Sequence, residues 1–292
     1  MPIALHERHP SFAAEIQGID MRQPATPEVV SEIEAAIDRF PVLVFPEQHI
    51  TDEQQVAFTR PFGELQVSTA ARTGREQRLN AEMTDASNIS AENRVLEAGD
   101  ARRMNNLGSR RWHTDGSFNR VPVKYSLLSG RIVAEQGGET QLADMRAAYD
   151  SLPDNLKLTI EDLLAHHSLI HSRAVVGFAE ASPDERTILA TVSQRLVRRH
   201  PRTRRKSLYL SNHAAHIVGW PIPEGLDLLY DLMDRATQPA HVYTHKWRVG
   251  DLLMWDNRVT MHRARRHYPE NTPRDMRRTS IMDVGNTVEQ AA

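Results

Sequence analysis

Apolar residues near the start of the chain recur first with helical spacing and then as a continuous run. After a Thr-Pro pair at 26–27, apolar positions three or four residues apart predict an amphipathic helix over residues 27–40. The run PVLVFP at 41–46 is apolar and bounded by prolines, which predicts a short buried strand. The sequence Thr-Asp-Glu-Gln at 51–54 resembles a capping box and predicts a second helix that ends at Phe62.

Beyond Trp112, short apolar runs separated by Gly, Pro, Asn and Asp predominate. Two predicted helices interrupt them, over residues 153–166 and 223–237. The runs that predict strands are 125–133, 139–145, 168–172, 195–200, 207–213, 241–247, 251–255 and 277–284. Closely spaced strands with few helices are typical of a sandwich or a barrel. We therefore predict a mainly β protein, with flanking helices around a jelly-roll core.

Residues 64–111 differ in character from the rest of the chain. The segment is polar, contains many Arg but no Lys, and shows no sustained periodicity. Long segments of this kind inside a compact domain are commonly functional lids or poorly ordered. We predict a variable lid here. Because no repeat and no interdomain linker is evident, we expect a single domain over 1–292.

The composition narrows the class of protein. Lys plus Arg number 36 and Asp plus Glu 38, and the net charge of -2 does not suit a strongly basic nucleic-acid binder. The 292 residues include no cysteine, which excludes disulfides, a thiolate nucleophile and Cys-ligated metals. No apolar run approaches the ~20 residues of a membrane helix, and the first residues lack a secretory signal. These features predict a soluble, cytoplasmic globular protein.

The tripeptide His113-Thr114-Asp115 is the first candidate for chemistry. In an extended segment, residues i and i+2 project to the same side, so the imidazole and the carboxylate would converge. Together with a distant histidine they would form the facial triad of non-haem Fe(II) oxygenases, which leaves three metal positions open. His262 follows an apolar strand and is a candidate for that third ligand. By composition alone, its rivals are His167, His171, His200, His213 and His216.

Arginines are dense near the end of the chain. Arg matches a carboxylate bidentately, so this density suits organic-acid ligands. If residues 274–284 begin a strand, alternation places Arg274 and Arg278 on one face and Arg277 on the other. Two inward arginines could hold two carboxylates, although an exposed basic edge strand is the alternative. The double Gly before Thr140 predicts a tight turn, from which the Thr140 hydroxyl could point into the barrel.

The basic run at 197–206 could suggest a nucleic-acid contact, but a solvated hairpin is the better interpretation. It lies between two predicted strands, has Pro201 and Thr203 at its tip, and lacks interleaved aromatic residues. A nucleotide phosphate site has no support either, because neither a G-x-G-x-x-G motif nor a P-loop occurs.

Several motifs, taken together and in order, resemble one known family. WHTDGSF at 112–118, GGET at 137–140, WDNRVTMHRA at 255–264 and RDMRRTS at 274–280 resemble the taurine and 2,4-dichlorophenoxyacetate dioxygenases, which use Fe(II) and 2-oxoglutarate. The resemblance covers nearly the whole chain. LADMRAAYDSLP at 142–153 is more narrowly similar to the aryloxyalkanoate branch of that family.

The resemblance implies a double-stranded β-helix core and a role for each candidate residue. The implied roles are iron ligation by His113, Asp115 and His262, binding of the distal 2-oxoglutarate carboxylate by Thr140 and Arg274, and binding of the substrate's acid group by Arg278. Ser109 departs from the pattern, because relatives often carry Asn there. The corresponding substrate contact is therefore not implied for this chain.

The implied activity is hydroxylation of the carbon next to the carboxylate of an aryloxyalkanoate such as 2,4-dichlorophenoxyacetate. The resulting hemiacetal collapses to a phenol and glyoxylate, while 2-oxoglutarate and O2 yield succinate and CO2. A taurine, alkyl-sulfonate or alkyl-sulfate dioxygenase is the alternative within the family. Outside it, the alternative is a metal-binding jelly roll with a purely binding or nucleic-acid role. We expect a small aryl ether carboxylate as partner, no nucleic acid or membrane, and a homo-oligomer.

Overall fold

The computed structural model describes residues 3–178, 181–269 and 271–290, and strands dominate its architecture. In chain order the strands are β1 (Ala4–His9), β2 (Ala13–Gln17), β3 (Val42–Phe45), β4 (Met83–Asp85), β5 (Val123–Ile132), β6 (Gln136–Gly137), β7 (Thr140–Asp144), β8 (Leu164–His167), β9 (Val192–Arg195), β10 (Val197–Arg199), β11 (Lys206–Leu208), β12 (Ala214–Ile217), β13 (Val242–His245), β14 (Leu252–Asp256), β15 (Thr260–Ala264), β16 (His267–Tyr268) and β17 (Asp275–Met282). The helices are α1 (Pro27–Arg39), α2 (Asp52–Thr59), α3 (Thr69–Arg72), α4 (Ala101–Leu107), α5 (Met145–Asp150), α6 (Asp154–Ile160), α7 (Leu169–Val175), α8 (Pro183–Ile188) and α9 (Ile222–Ala236).

Two facing sheets form the core. The larger has the order β1-β2-β3-β14-β5-β17-β4 and the smaller the order β13-β7-β15. Strand β14 is buried on both faces: Leu253 and Trp255 pack with Leu142 of the smaller sheet, while Leu252 and Met254 join the cluster on the opposite face. This double burial explains the uninterrupted apolar run of β14. The sheets are antiparallel apart from the β2–β3 pair. The predicted jelly-roll core, a double-stranded β-helix, is confirmed.

Helices α1, α2, α5, α6 and α9 pack on the two sheets. Helix α1 begins where the sequence predicts, with Thr26 accepting a hydrogen bond from the Val29 amide, and it buries Ile33 and Ile37 against the larger sheet. Helix α2 has the predicted capping box, and a 3-10 turn continues it to Phe62. Helices α5, α6 and α9 contribute to a second apolar cluster behind the smaller sheet. Within the described part of the chain, none of the helices has the length and apolar character needed to cross a bilayer.

Two predictions differ from the structure in the type of element, and one hairpin was not predicted. Residues 168–172 form a helix instead of a strand, because Ser168 caps α7 by accepting a hydrogen bond from the His171 amide. The helix predicted over 153–166 ends at Ile160, and residues 164–167 pair as β8 with β12 and β9. The hairpin of β1 and β2 was not predicted, because β1 is mostly exposed and polar. By contrast, the basic run at 197–206 does form a hairpin, of β10 and β11.

The segment 64–111 contains regular structure that its sequence does not indicate. It carries α3 and α4, and β4 adds an edge strand to the larger sheet by pairing with β17. Arg78 anchors the segment, with its guanidinium 2.9 Å from Asp85 and 2.6 Å from Asp275. The segment is thus attached to the larger sheet through β17, and β17 is the strand that carries Arg278.

Candidate active site

Three side chains from two neighbouring segments converge at one end of the core. His113 and Asp115 lie on an extended stretch before β5, and His262 lies on β15. The two histidines face each other because their backbones form a mutual pair of hydrogen bonds of 2.9 and 2.8 Å. One ligand atom from each of the three residues lies within 4.8 Å of the others. The Nε2 atoms of His113 and His262 are 3.8 and 3.6 Å from the Asp115 carboxylate oxygens.

The protonation states of these groups suit metal ligation. Burial opposes ionisation of Asp115, but Arg278 and the two histidines hold its pKa well below the ordinary value. The Arg278 Nη1 atom lies 2.5 Å from Asp115 Oδ1. Burial lowers the pKa of both His113 and His262, so their rings are neutral near pH 7. A carboxylate and two neutral imidazoles are the forms in which these residues bind metals.

A layer of hydrogen bonds orients the ligands. The Ser126 hydroxyl donates to Asp115 Oδ2 at 2.7 Å and accepts from the Asn257 amide at 3.0 Å. Asn257 also accepts from the Asp115 backbone amide at 3.2 Å. His113 Nδ1 lies 2.8 Å from the Arg111 carbonyl oxygen, which directs Nε2 toward Asp115. Such outer partners fix the orientation and the tautomer of metal-ligating side chains. The sequence analysis missed Ser126 and Asn257, and the only available signal was polar residues inside or just after buried strands.

The donor set fits Fe(II). Two imidazole nitrogens and one carboxylate oxygen on one side of a site leave three positions of an octahedron for other ligands. The rival histidines do not belong to this group in the described part of the chain. His200 pairs with Asp256 at 3.1 Å, and His167 stacks on Tyr209. His213 comes nearest, with its ring centroid 6.3 Å from that of His113, but its Nδ1 lies 2.7 Å from the Ser172 hydroxyl.

A cavity of about 450 Å³ opens beside the triad. His113, Asp115 and Arg278 form part of its wall, while residues of the segment 64–111 and one face of α7 form much of the remainder. Its apolar lining includes Leu79, Met83, Phe118, Leu169 and Val176. The volume and the mixture of apolar walls with a few charged groups are typical of a site for a small organic molecule.

Arg274 lies in an adjoining cavity of about 60 Å³, and Ala86, Asn106 and Ser109 line both cavities. The hydrogen bonds of its guanidinium in the described structure go to the carbonyls of Ala86 and Gly138, at 3.4 and 3.3 Å. Burial and the nearby Arg110 cation lower the pKa of Arg274 to about 10. A guanidinium held by neutral carbonyls fits a carboxylate ligand, because the anion would supply the missing counter-charge.

Thr140 begins β7, close in sequence to the turn that presents the Gly138 carbonyl to Arg274. The turn needs glycine: Gly137 has a φ of +72°, and a Cβ there would lie 2.3 Å from the Arg266 carbonyl oxygen. The Thr140 hydroxyl accepts a hydrogen bond from Trp247 Nε1 at 3.0 Å. Since an indole N–H can only donate, the hydroxyl proton of Thr140 remains available for an acceptor.

The double-stranded β-helix and the two-histidine, one-carboxylate face define the class of mononuclear non-haem iron oxygenases. Residues 4–280 match the family described as "Taurine catabolism dioxygenase TauD, TfdA family", and the chain belongs to this family. It is an enzyme, an oxidoreductase that depends on Fe(II), 2-oxoglutarate and O2 and acts on a small molecule.

Individual relatives match over nearly the full length. An alpha-ketoglutarate-dependent 2,4-dichlorophenoxyacetate dioxygenase of Burkholderia sp. (strain RASC) is 39% identical over 94% of this chain and 92% of the relative. An (S)-phenoxypropionate/alpha-ketoglutarate-dioxygenase of Sphingobium herbicidovorans is 36% identical over 86% of this chain and 83% of the relative. The crystal structure of AAD-2 in complex with Mn(II) and N-oxalylglycine has 46% identity and a TM-score of 0.91, covering 99% of this chain and 100% of that one.

Proposed function

We propose that this chain hydroxylates the carbon next to the carboxylate of an aryloxyalkanoate such as 2,4-dichlorophenoxyacetate. One oxygen atom of O2 enters that C–H bond, and the other enters succinate as 2-oxoglutarate loses CO2. The hemiacetal product then breaks its aryl ether bond to give a phenol and glyoxylate. The observation that carries the proposal is the apolar wall of Leu79, Met83 and Phe118 in the cavity that also holds the Arg278 cation, because such a wall suits the aryl group of an acid. The substrates named for the similar proteins support it.

The proposed assignments are those the sequence predicts. The side chains assigned are His113, Asp115 and His262 for Fe(II), Arg274 and Thr140 for the distal carboxylate of 2-oxoglutarate, and Arg278 for the acid group of the substrate. When bound, the iron supplies O2 activation, with 2-oxoglutarate as the source of electrons. The protein orients both acids by charge-assisted hydrogen bonds and keeps water from the cavity. We further propose one domain over 1–292, a cytoplasmic location and homo-oligomeric assembly.

We propose that residues 64–111 act as a lid over the cavity. Support comes from the residues of this segment that line the cavity wall and from its attachment to β17. We expect hydrogen exchange in the segment to slow when metal, 2-oxoglutarate and substrate bind, because closure excludes solvent. Unchanged exchange in this segment, with slowed exchange around β15, would argue against a lid.

A substrate panel tests the activity. The purified, Fe(II)-loaded protein is given 2-oxoglutarate with phenoxyacetate, 2,4-dichlorophenoxyacetate, 2-phenoxypropionate, taurine or an alkyl sulfate, and succinate and phenol are measured. We expect phenol in step with succinate for the aryl ethers. The alternative, a taurine or alkyl-sulfate dioxygenase, predicts succinate only with the sulfur acids. Arg278 cannot decide between them, because a guanidinium binds sulfonates as well as carboxylates. A His262→Ala variant should be inactive and bind Fe(II) weakly.

A further inference from the structure

Helix α7 presents one face to the large cavity, and this face carries a cation. Leu169, Ser172, Arg173 and Val176 all line the cavity wall. They are spaced three, one and three residues apart, the spacing of one helical face. Ser172 contacts His213, whose ring lies 6.3 Å from that of His113. Arg173 and His213 both belong to the wall of this cavity.

The other arginines in the cavity wall already have close carboxylate partners. Arg278 lies 2.5 Å from Asp115, and Arg75 lies 2.5 Å from Glu185. The remaining pairs are Arg78 with Asp85 and Asp275, at 2.9 and 2.6 Å, and Arg102 with Asp85 at 3.3 Å. The charges of Arg75, Arg78 and Arg102 are thus compensated within the protein, whereas Arg278 keeps a buried Nε without a hydrogen-bond partner among the described residues.

The positive charge of Arg173 is compensated far less well by nearby carboxylates. Its Nη1 atom is buried and has no hydrogen-bond partner among the described residues. The carboxylate oxygen paired with it is Glu185 Oε1, at 3.6 Å, and this oxygen already accepts a hydrogen bond from Arg75 at 2.5 Å. Burial and the Arg75 cation lower the pKa of Arg173, while Glu185 opposes them. Because Arg75 and Arg173 share this carboxylate, an anion in the cavity would supply the counter-charge that the Arg173 guanidinium lacks among the described residues.

We propose that Arg173 forms a second anion subsite in the substrate cavity, and that the preferred substrates are aryl ether acids with a further anionic group on the ring. This inference rests on the proposed function. The reacting carbon is bonded to the first carboxylate and must lie at the metal, so that carboxylate belongs to Arg278, which contacts Asp115. Arg173, on a separate helix of the same wall, is left for a group on the ring.

Two variants test the subsite, with phenoxyacetate compared with its 2-, 3- and 4-carboxy derivatives. We expect Arg173→Gln to lower kcat/KM for the best carboxylated acid about tenfold, the effect of one lost charge-assisted contact. Phenoxyacetate has no second anion to lose, so its kcat/KM should fall less than that of the carboxylated acid, and the ratio of the two losses is the measurement. Arg173→Lys should restore part of the loss, because it keeps the charge but not the fork. Arg186→Gln, on the neighbouring α8 and outside the cavity wall, is the matched control and should leave both substrates unaffected.

The variant Glu185→Gln should change the affinity for the carboxylated acid in the direction opposite to Arg173→Gln. Removing the carboxylate that competes for Arg173 should raise the affinity for the carboxylated acid, and Gln retains the capping-box position of Glu185 on α8. Equal losses for phenoxyacetate and its carboxy derivatives in Arg173→Gln would overturn the subsite, as would equal kinetics in Arg173→Gln and wild type.

Calorimetric binding to the Mn(II) and 2-oxoglutarate complex separates this proposal from the proposed function. If no aryl ether is turned over but Arg173→Gln still weakens binding of the carboxylated acid selectively, the proposed function fails and the subsite stands. If aryl ethers are turned over and binding of mono- and dicarboxylated acids is equally affected in Arg173→Gln, the subsite fails and the proposed function stands.

Discussion

At the scale of single residues, the hydrogen bond from Ser126 to Asp115 matters because it holds a carboxylate that the metal needs in one orientation. We predict that Ser126→Ala lowers Fe(II) affinity by roughly 10-fold or more, the usual range for partners of metal ligands. Ser129 lies on the same strand, is equally buried and bonds to Gln55 instead. Ser129→Ala is therefore the control, and anaerobic Fe(II) titration is the measurement. Equal Fe(II) affinity in Ser126→Ala and Ser129→Ala would show that this hydrogen bond does not support the metal.

The two assigned contacts of 2-oxoglutarate should differ in strength. Arg274→Ala removes a charged fork and should raise the dissociation constant of 2-oxoglutarate about 100-fold, since hydrogen bonds to charged groups contribute roughly 1.5–3 kcal/mol. Thr140→Val removes one neutral hydroxyl and should raise it roughly 5-fold. Binding can be followed anaerobically by calorimetry with Mn(II). If Thr140→Val is the more damaging change, Arg274 does not bind the distal carboxylate.

At the scale of elements, the attachment of the segment 64–111 rests on buried ion pairs. The side chains of Arg78 and Asp275 are only 7% and 4% exposed, whereas those of Arg60 and Glu82, which also link this segment to the body, are 60% and 33% exposed. In Arg78→Ala, Asp275 keeps Arg277 at 2.7 Å and Asp85 keeps Arg102 at 3.3 Å. No carboxylate is left unpaired, and the loss of the buried hydrogen bonds of Arg78 should lower the free energy of unfolding by on the order of 2 kcal/mol. Arg60→Ala should cost less than about 1 kcal/mol.

Urea unfolding measures both losses, and hydrogen exchange shows where the structure loosens. In Arg78→Ala we expect faster exchange in β4 and α4, which carry Asp85 and Arg102 of the same ion-pair cluster. If the two arginine variants lose equal stability, the segment is held by its other contacts.

The elements that could be predicted are those whose signal is local. The Thr26 cap, the capping box at Thr51 and the apolar run of β14 lie within a few residues each, and the structure has all three. Strand β4 has only three residues and exists because β17 pairs with it, so its own sequence carries no period. The order of the strands in the sheet could not be predicted either. Strand β14 lies between β3 and β5, although about 120 residues separate β14 from β5 in the chain.

The same distinction applies to the site. His113 and Asp115 are neighbours in the chain and could be paired from alternation alone. His262 joins them only through the backbone pairing of its strand with the His113 segment, so the residues by themselves left rival histidines. The resemblance to a family, and not the spacing, selected His262. The place of Arg173 in the cavity wall could not be predicted, because the residues just before it were predicted to form a strand.

At the scale of the whole molecule, a buried histidine outside the site makes stability depend on pH. His167 is 0% exposed, stacks on Tyr209, and has no hydrogen-bond partner for either ring nitrogen in the described structure. Burial, with a smaller effect of His166, lowers its pKa from 6.5 to about 3. The folded protein thus keeps His167 neutral at pH values where the unfolded chain binds a proton.

The sign of the effect follows from this difference in proton binding. Between about pH 6.5 and pH 3 the unfolded state binds more protons, so the free energy of unfolding falls as the pH falls through this window. At about 1.4 kcal/mol per pKa unit, the loss from this one group approaches the order of 4 kcal/mol at the acid end. We predict that His167→Gln, which does not titrate, loses less stability between pH 7 and pH 4.5 than wild type does. Urea unfolding at both pH values measures the difference, with the exposed His6→Gln as control. Parallel pH profiles for wild type, His167→Gln and His6→Gln would mean that His167 takes up its proton without unfolding, and that other buried groups set the acid limit of the fold.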